Sequence, residues 1–543
     1  MEKITTDIFS FENLRRDGFV YVDKTDLLWR LVAKQDGRQF FISRPRRFGK
    51  SLMLSTLKCI FEGKRDLFKG LKIDKMKYDW ATYPVVHLDM SKTKGETPEE
   101  VRSALKAAVD GLVATFGLKI AKNVPVGTRF GLALDALYAK KGSYVVLVDE
   151  YDVPLQGFFG NQTALIRVRK LMHDFYITLK NHEEQIRFLM LTGVTKLTKV
   201  SVFSGLKHLT DLTMKRKEYA TLLGYTPKEI VTFFPKRLDA LAKKLKTDRK
   251  GALKGLLAWY DSYRFSSVST ARVCNPISIG QALACSALRS FWVSTAVATL
   301  VMERIAAAGK TPADFEGCTA TEDELDLCEA TELPAKSLMY QSGYLTIKGL
   351  SKTEVDEIGN PKLILGAPNH EVRGAIRAGW FDSIIKVPST EFDALVNVAK
   401  RQVAEGDVDG LINETLYRIY AKIPPEWRIK SEADVKRHFR LFMEMLGAKV
   451  GAEEGSARGY ADAIIESKKF VWVFEFKFNK SAKAAIAQIR EKRYADAYKG
   501  DKRPVTLVGV NFRTAKRNID EPLFVAMSSG VGKGNVLKGK LRL

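Results

Sequence analysis

At 543 residues the chain is too long for one hydrophobic core and calls for two to four domains. Its 45% hydrophobic and 28% charged content suits a soluble globular protein, and no apolar run reaches the roughly 18 residues that a membrane span needs. The balance of 88 basic against 63 acidic residues, a net charge of +25, excludes an acidic chain and favours a polyanionic partner, nucleic acid being the commonest.

General solubility is the plainer account of that charge, but its clustering argues for a partner. Basic residues gather at 44–47, at 236–254 and from 477 to the C-terminus, whereas acid gathers at 321–326. The N-terminus Met1-Glu2-Lys3-Ile4-Thr5-Thr6-Asp7 lacks the apolar stretch of a secretion signal, so a cytoplasmic location is expected. Cys59, Cys274, Cys285, Cys318 and Cys328 form no CxxC pair and read as reduced thiols, mostly in cores. The six histidines are equally scattered, which leaves no visible zinc site.

Taken in chain order, the first strong signal is Phe40-Phe41-Ile42-Ser43, an apolar run read as a strand. The basic loop Arg44-Pro45-Arg46-Arg47-Phe48 follows, then Gly49-Lys50-Ser51 and a helical pattern over 51–61. Strand, loop and helix in that order make a phosphate site. Backbone N–H groups over Arg47, Phe48, Gly49, Lys50, Ser51 and Leu52 face the anion, Lys50 reaches the β- and γ-phosphates, and Ser51 ligates Mg²⁺. The full pattern asks for a glycine where Arg44 stands, so a basic turn before a helix is the bland alternative.

A strand is expected at 85–89 and a helix at 98–116. Tyr144-Val145-Val146-Leu147-Val148-Asp149-Glu150 then reads as a buried parallel strand with two acids at its C-terminal edge, where α/β sheets bind ligands. Asp149 would hold Mg²⁺ and Glu150 would polarise the attacking water; a solvated strand end is the alternative. After a further strand at 186–192, Thr192 stands where a sensor of the γ-phosphate would lie, or is a plain strand-to-turn threonine.

From 216 the signals become mainly helical. Trp259-Tyr260-Asp261-Ser262-Tyr263-Arg264-Phe265 could stack on bases but fits better as a packed turn in a helical core. Val273-Cys274-Asn275-Pro276 reads as a turn into a helix beginning near 277.

The last unit shows a helix at 432–446, a loop at 455–459, strands at 460–465 and 470–476, a helix at 480–499 and a strand at 505–510. Asp462 lies on the first of those strands; Glu475 and Lys477 share one face of the next. If the strands pair as a hairpin, two carboxylates and an amine converge, which suits a hard cation with Lys477 orienting a water and stabilising phosphate charge. A solvated cross-strand pair is the everyday meaning of Glu-x-Lys. Against it stand the upstream acid, the basic surroundings, and Gln488 and Tyr494 on the following helix.

With these residues in place the chain resembles proteins that join an N-terminal AAA-ATPase-like domain to a C-terminal PD-(D/E)XK nuclease-superfamily domain. The likeness rests on Tyr21-Val22-Asp23-Lys24-Thr25, the loop from Arg44 to Ser51, Val148-Asp149-Glu150-Tyr151-Asp152, Leu191-Thr192-Gly193-Val194, Gln341-Ser342-Gly343-Tyr344-Leu345 and the block 459–494. It covers nearly the whole chain. One departure is that this chain has Gly459-Tyr460-Ala461-Asp462 where the family tends to show Gly-Arg-x-Asp.

The resemblance implies an α/β chain in three parts: a P-loop NTPase with a parallel sheet flanked by helices at 1–215, a helical middle at 216–400, and a small α/β restriction-endonuclease-like domain at 401–543. It implies ATP and Mg²⁺ held by Lys50, Ser51 and Asp149, with Glu150 promoting hydrolysis. It also implies a nuclease metal, Mg²⁺ or Mn²⁺, on Asp462 and Glu475, with Lys477 assisting the water. Glu432 matches a helix acid that completes the metal set, or is an exposed N-terminal helix acid. Arg46, Arg47 and Arg167 are each open as the source of charge for the γ-phosphate. DNA is favoured over RNA as substrate, and a homo-oligomer is left open. The rival readings are an ATP-driven switch that grips nucleic acid without cutting it and a signalling ATPase with a protein partner.

Overall fold

Five apolar runs build the first sheet. They are β1 (Gln39–Ser43), β2 (Val85–Asp89), β3 (Tyr144–Asp149), β4 (Ile186–Gly193) and β5 (Thr210–Asp211). Every pairing between them is parallel and their order is β2-β3-β4-β1-β5. β1 and β3 are buried at every position, as strands covered on both faces must be. The structure, a computed structural model, describes residues 2–33, 37–196, 209–291, 296–308, 310–326, 334–380, 382, 389–423, 429–446, 450–451, 455–456, 459–527 and 536–538. Cys328, residues 457–458 of the predicted loop and the last residues of the basic C-terminus lie outside that set.

The chain divides into two compact units, the first made of residues 1–293 with 315–373 and the second of 294–314 with 374–543. In the first unit the helix Lys50–Phe61 packs on β2, β3 and β4, with Phe61 and Phe40 both against Phe188. The helix Pro98–Phe116 carries its own boundaries. Thr97 accepts from the Glu100 N–H, Pro98 opens the first turn, and Gly117 closes it in a left-handed conformation.

The helices Pro227–Phe233, Pro235–Lys244, Arg249–Tyr260 and Pro276–Cys285 enclose a separate core around Leu238, Leu241, Leu256 and Ile279. Tyr260, Tyr263 and Phe265 are buried, so the aromatic motif is core. The same unit holds an antiparallel sheet of β6 (Thr319–Ala320), β8 (Pro361–Gly366) and β7 (Thr346–Val355) within the region expected to be mainly helical. Asp356-Glu357-Ile358-Gly359-Asn360 is the turn between its long strands; Asp356 accepts from the N–H groups of Ile358 and Asn360.

The second unit carries a mixed sheet of β9 (Val450–Gly451), β12 (Ala463–Glu466), β13 (Val471–Phe478), β14 (Val505–Arg513), β15 (Asn518–Ala526) and β16 (Val536–Lys538). Its order is β16-β15-β14-β13-β12-β9, and β10 (Gly455–Ser456) pairs separately with β11 (Gly459–Tyr460). β12 and β13 form the expected antiparallel pair, whereas β13 and β14 run parallel across the helix Ala482–Lys492. The helix Glu432–Met445 lays Phe439 on Phe474 and Phe476, with ring centroids 4.7 and 4.8 Å apart. The architecture is α/β: a parallel five-stranded sheet with helices, a helical middle, and a small mixed-sheet C-terminal domain. Among the described residues no helix is long and apolar enough to cross a membrane.

Three expectations need correction. The predicted strand at 460–465 is broken: Asp462 occupies the bend between β11 and β12, where its carboxylate accepts a backbone N–H instead of continuing a ladder. The helix predicted over 480–499 ends at Lys492, because Arg493 turns left-handed, so Tyr494 follows the helix. Of the four described cysteines, Cys59 and Cys274 are buried but Cys285 is exposed and Cys318 intermediate, so not most of them are core.

Candidate functional site

Because the first sheet is parallel, Ser43, Asp89, Asp149, Gly193 and Asp211 all end their strands at one edge. Arg44 turns off that edge and is itself buried, donating to the Ser43 and Thr213 carbonyls while its guanidinium lies 4.4 Å over the Phe265 ring. Burial holds Arg44 down to about 10. The residue that breaks the phosphate-loop consensus is thus a structural anchor of the loop, which sequence alone did not suggest.

Gly49 stands immediately before the helix with φ +93°, a conformation that favours glycine, and Arg47 is also left-handed at φ +71°. Lys50 opens the helix, buried, with Nζ donating to the carbonyls of Arg44 (2.8 Å) and Pro45 (3.0 Å). Burial depresses Lys50, and the charges of Asp149, Glu150 and Asp152 act against that depression. Ser51 and Leu52 follow, both half-buried, and Phe48 packs edge-on against Tyr263 and Phe265.

Across the edge, Thr192 Oγ1 donates to Asp149 Oδ1 at 2.6 Å. Glu150 lies beyond β3 in a left-handed bend (φ +52°), and burial lifts its carboxyl above the ordinary range while Lys50 opposes. The arrangement gathers one ammonium and three acids beneath a loop whose helix end attracts anions.

Asp152, quoted in the sequence only as part of a motif, proves central. Its carboxylate is fully buried and accepts from Val194 N (3.2 Å), Thr195 N (2.8 Å), Thr195 Oγ1 (2.6 Å) and Gln156 Nε2 (2.9 Å). Gln156 in turn accepts from Arg46 at 3.0 Å. Arg47 donates to the Phe291 carbonyl, and Arg167 pairs with Glu99 on an exposed surface. The pairing of Asp-Glu-Tyr-Asp after one strand with Thr-Gly-Val-Thr after another was the available signal for the Asp152–Thr195 link.

A methyl group at Gly193 would lie 2.5 Å from the Tyr151 ring and 2.8 Å from Asp152 Oδ1. Gly193→Ala is therefore expected to destabilise the first unit by about 1–3 kcal/mol. Urea unfolding followed against the unaltered protein checks it; an unchanged midpoint would mean that the Tyr151 packing is not tight.

In the second unit Lys477 Nζ donates to Glu475 Oε1 (2.9 Å), Glu432 Oε1 (3.3 Å) and the Phe476 carbonyl (2.9 Å). Asp462 Oδ2 accepts from Phe476 N at 2.8 Å, which ties the bend to β13. Oxygens of Glu432, Asp462 and Glu475 lie within 4.8 Å of one another. Glu432, the first residue of its helix, thereby joins the acids read from the strands.

Burial raises Glu475 to about 7, with the Asp462 charge adding and Lys477 opposing. Its Oε2 is buried and without a hydrogen-bond partner among the described residues. A buried carboxylate with one orphaned oxygen, grouped with two other carboxylates, is a donor set that a hard divalent cation satisfies. Lys436, one turn after Glu432, reaches Asp462 Oδ1 at 2.5 Å and Glu432 Oε1 at 3.4 Å. Its four-residue spacing from Glu432 was the signal that sequence reasoning passed over. Gln488 and Tyr494 contact each other at 3.5 Å, and Tyr494 sits in the core with Ile486 and Ile489.

Comparison with known proteins follows the same division. Residues 5–203 match the AAA-ATPase-like family, described as "Predicted AAA-ATPase". Residues 430–522 match the PD-(D/E)XK nuclease superfamily. The chain is also similar, at 28% identity over 530 residues, to a protein of Azotobacter chroococcum mcd 1 called "Uncharacterized protein in vnfD 5'region". That match covers 95% of this chain and 98% of the other protein.

Proposed function

We propose that this chain, an AAA-ATPase-like protein with a C-terminal PD-(D/E)XK nuclease-superfamily domain, hydrolyses ATP to control metal-dependent cleavage of nucleic acid. The observation that carries the reading is the convergence of Glu432, Asp462 and Glu475 with Lys477 on a basic chain. Our functional division is 1–215 for nucleotide, 216–400 for transmission and 401–543 for cleavage, working in the cytoplasm.

In the ATPase part, a phosphate loop, the N–H groups over Arg47, Phe48, Gly49, Lys50, Ser51 and Leu52 bind the phosphates, with Lys50 leaving its two carbonyl partners for them. Ser51 and Asp149 hold Mg²⁺, and Thr192 orients Asp149 for that task. Glu150, its carboxyl raised by burial, takes the proton of the attacking water.

In the nuclease part, Glu432, Asp462 and Glu475 hold Mg²⁺ or Mn²⁺. Such an ion lowers the pKa of bound water and stabilises charge on a phosphate. Lys477 orients the nucleophilic water and shares the charge that develops on the phosphate oxygens. The surplus of basic charge supports a nucleic-acid substrate, with DNA preferred.

The test is cleavage of plasmid and of linear single- and double-stranded DNA and RNA with Mg²⁺ or Mn²⁺, with and without ATP. The reading expects cutting that needs the metal and responds to ATP. Intact ATP hydrolysis and tight, salt-sensitive binding with no cutting would replace it with a non-cleaving switch.

A further inference from the structure

The two lysines of the nuclease cluster are not equivalent. Lys477 is buried and has three acceptors. Lys436 is 36% exposed along its side chain and leans on Asp462 Oδ1, with a longer approach to Glu432. The two oxygens of Asp462 are engaged differently. Oδ2 is taken by the Phe476 N–H, and that bond holds the bend that places the residue. For a cation drawn to Glu432, Asp462 and Glu475, Oδ1 is the oxygen not tied to the backbone, and it is the one that Lys436 holds.

We propose that Lys436 is the counter-ion that the metal displaces, and that the freed ammonium then binds a phosphate oxygen of the substrate strand. The inference rests on the metal-nuclease reading above. Two cations on one oxygen repel each other, and of the two lysines the half-exposed Lys436 is the one that solvent lets leave. Lysine suits the exchange, because its ammonium is a point charge on a flexible stem that swings without breaking a planar fork. Before the metal arrives Lys436 neutralises Asp462; afterwards it stands at the solvent side of the cluster as a phosphate contact.

The experiment uses the full chain, unaltered and as Lys436→Met, Lys436→Arg and Glu475→Ala. Mn²⁺ binding is measured by calorimetry, and binding of a short DNA duplex is measured in Ca²⁺ and in EDTA across a salt series. Lys436→Met should bind Mn²⁺ roughly ten-fold more tightly, since a competing charge is gone. In Ca²⁺ it should bind the duplex more weakly, with the salt slope reduced by about 0.9, the value of one phosphate contact. In EDTA its salt slope should match that of the unaltered chain, since Lys436 contacts no phosphate there, and Lys436→Arg should keep the full slope in Ca²⁺.

Unchanged or weaker Mn²⁺ binding in Lys436→Met, or an unchanged slope in Ca²⁺, overturns the inference while leaving the metal site standing. If the unaltered chain and Glu475→Ala both take up no Mn²⁺, the metal reading falls and the inference falls with it. Should Lys436→Met fold poorly by melting, Lys436→Gln supplies the same two readouts.

Discussion

Lys50→Ala is expected to weaken ATP binding by about 10²-fold or more, the equivalent of losing roughly 3 kcal/mol of charge-assisted hydrogen bonding. The ammonium is buried at the start of its helix, already aimed along the loop through the Arg44 and Pro45 carbonyls. Those two bonds preform the loop without phosphate. They are weak competitors for the lysine, because neutral carbonyl partners give way to an anion. Burial disfavours the charged lysine, so phosphate binding would also relieve a cost that the folded protein carries.

Two controls separate binding from folding. Thermal melting of Lys50→Ala without nucleotide should still show a folded protein, with its midpoint lowered because Asp149, Glu150 and Asp152 lose the ammonium that balances them. Lys50→Arg should not restore binding, since a larger planar guanidinium does not reproduce a compact ammonium held by the Arg44 and Pro45 carbonyls. Titration with a fluorescent ATP analogue reads both. Retained affinity in Lys50→Ala would sink the phosphate role of the loop.

How much of this was legible beforehand depends on the distance over which each feature is encoded. β1, β3 and the helix Lys50–Phe61 were readable because burial on both faces of a parallel sheet writes continuous apolar runs into the chain. The Glu475–Lys477 pair was readable because alternation along a strand is strictly local. The break at Asp462 was not, since what interrupts that strand is the backbone N–H of Phe476, fourteen positions away in the chain and invisible to local pattern. Arg44 looked like a missing glycine, and it takes the distant Thr213 carbonyl and Phe265 ring to show what its side chain does. Asp152 was passed over for the same reason: three donors from Val194 and Thr195, more than forty positions away, join the local Gln156 amide in placing its buried carboxylate. The small sheet of β6, β8 and β7 escaped because its long strands are half exposed and carry polar residues such as Lys348, Ser351 and Lys352.

Glu475→Gln should remove cleavage almost completely, by about 10³-fold, and should at the same time alter how stability responds to pH and to metal. In the metal-free chain Glu475 is raised by burial from its ordinary value near 4.5 to about 7. The folded state therefore holds a proton that the unfolded state has released across that interval. Stability must fall as pH rises from about 4.5 to about 7, and the whole cost of the buried charge is present above that range. In the proposed metal site a divalent cation would replace the proton as the partner of the carboxylate. Mn²⁺ affinity should thus increase as pH rises through about 7, and Mn²⁺ should raise the melting temperature most at the alkaline end. The glutamine stays neutral throughout. Its metal-free protein should lose the pH-dependent decline and, at pH 8, melt no lower than the unaltered chain. Lys477 is left with Glu432 and the Phe476 carbonyl as acceptors, so the amide does not strand it. Addition of Mn²⁺ should then do nothing to its melting. Melting curves from pH 5 to 8 with and without Mn²⁺, alongside the plasmid assay, test both halves; a Mn²⁺-stabilised Glu475→Gln, or one that still cuts, would remove Glu475 from the metal site.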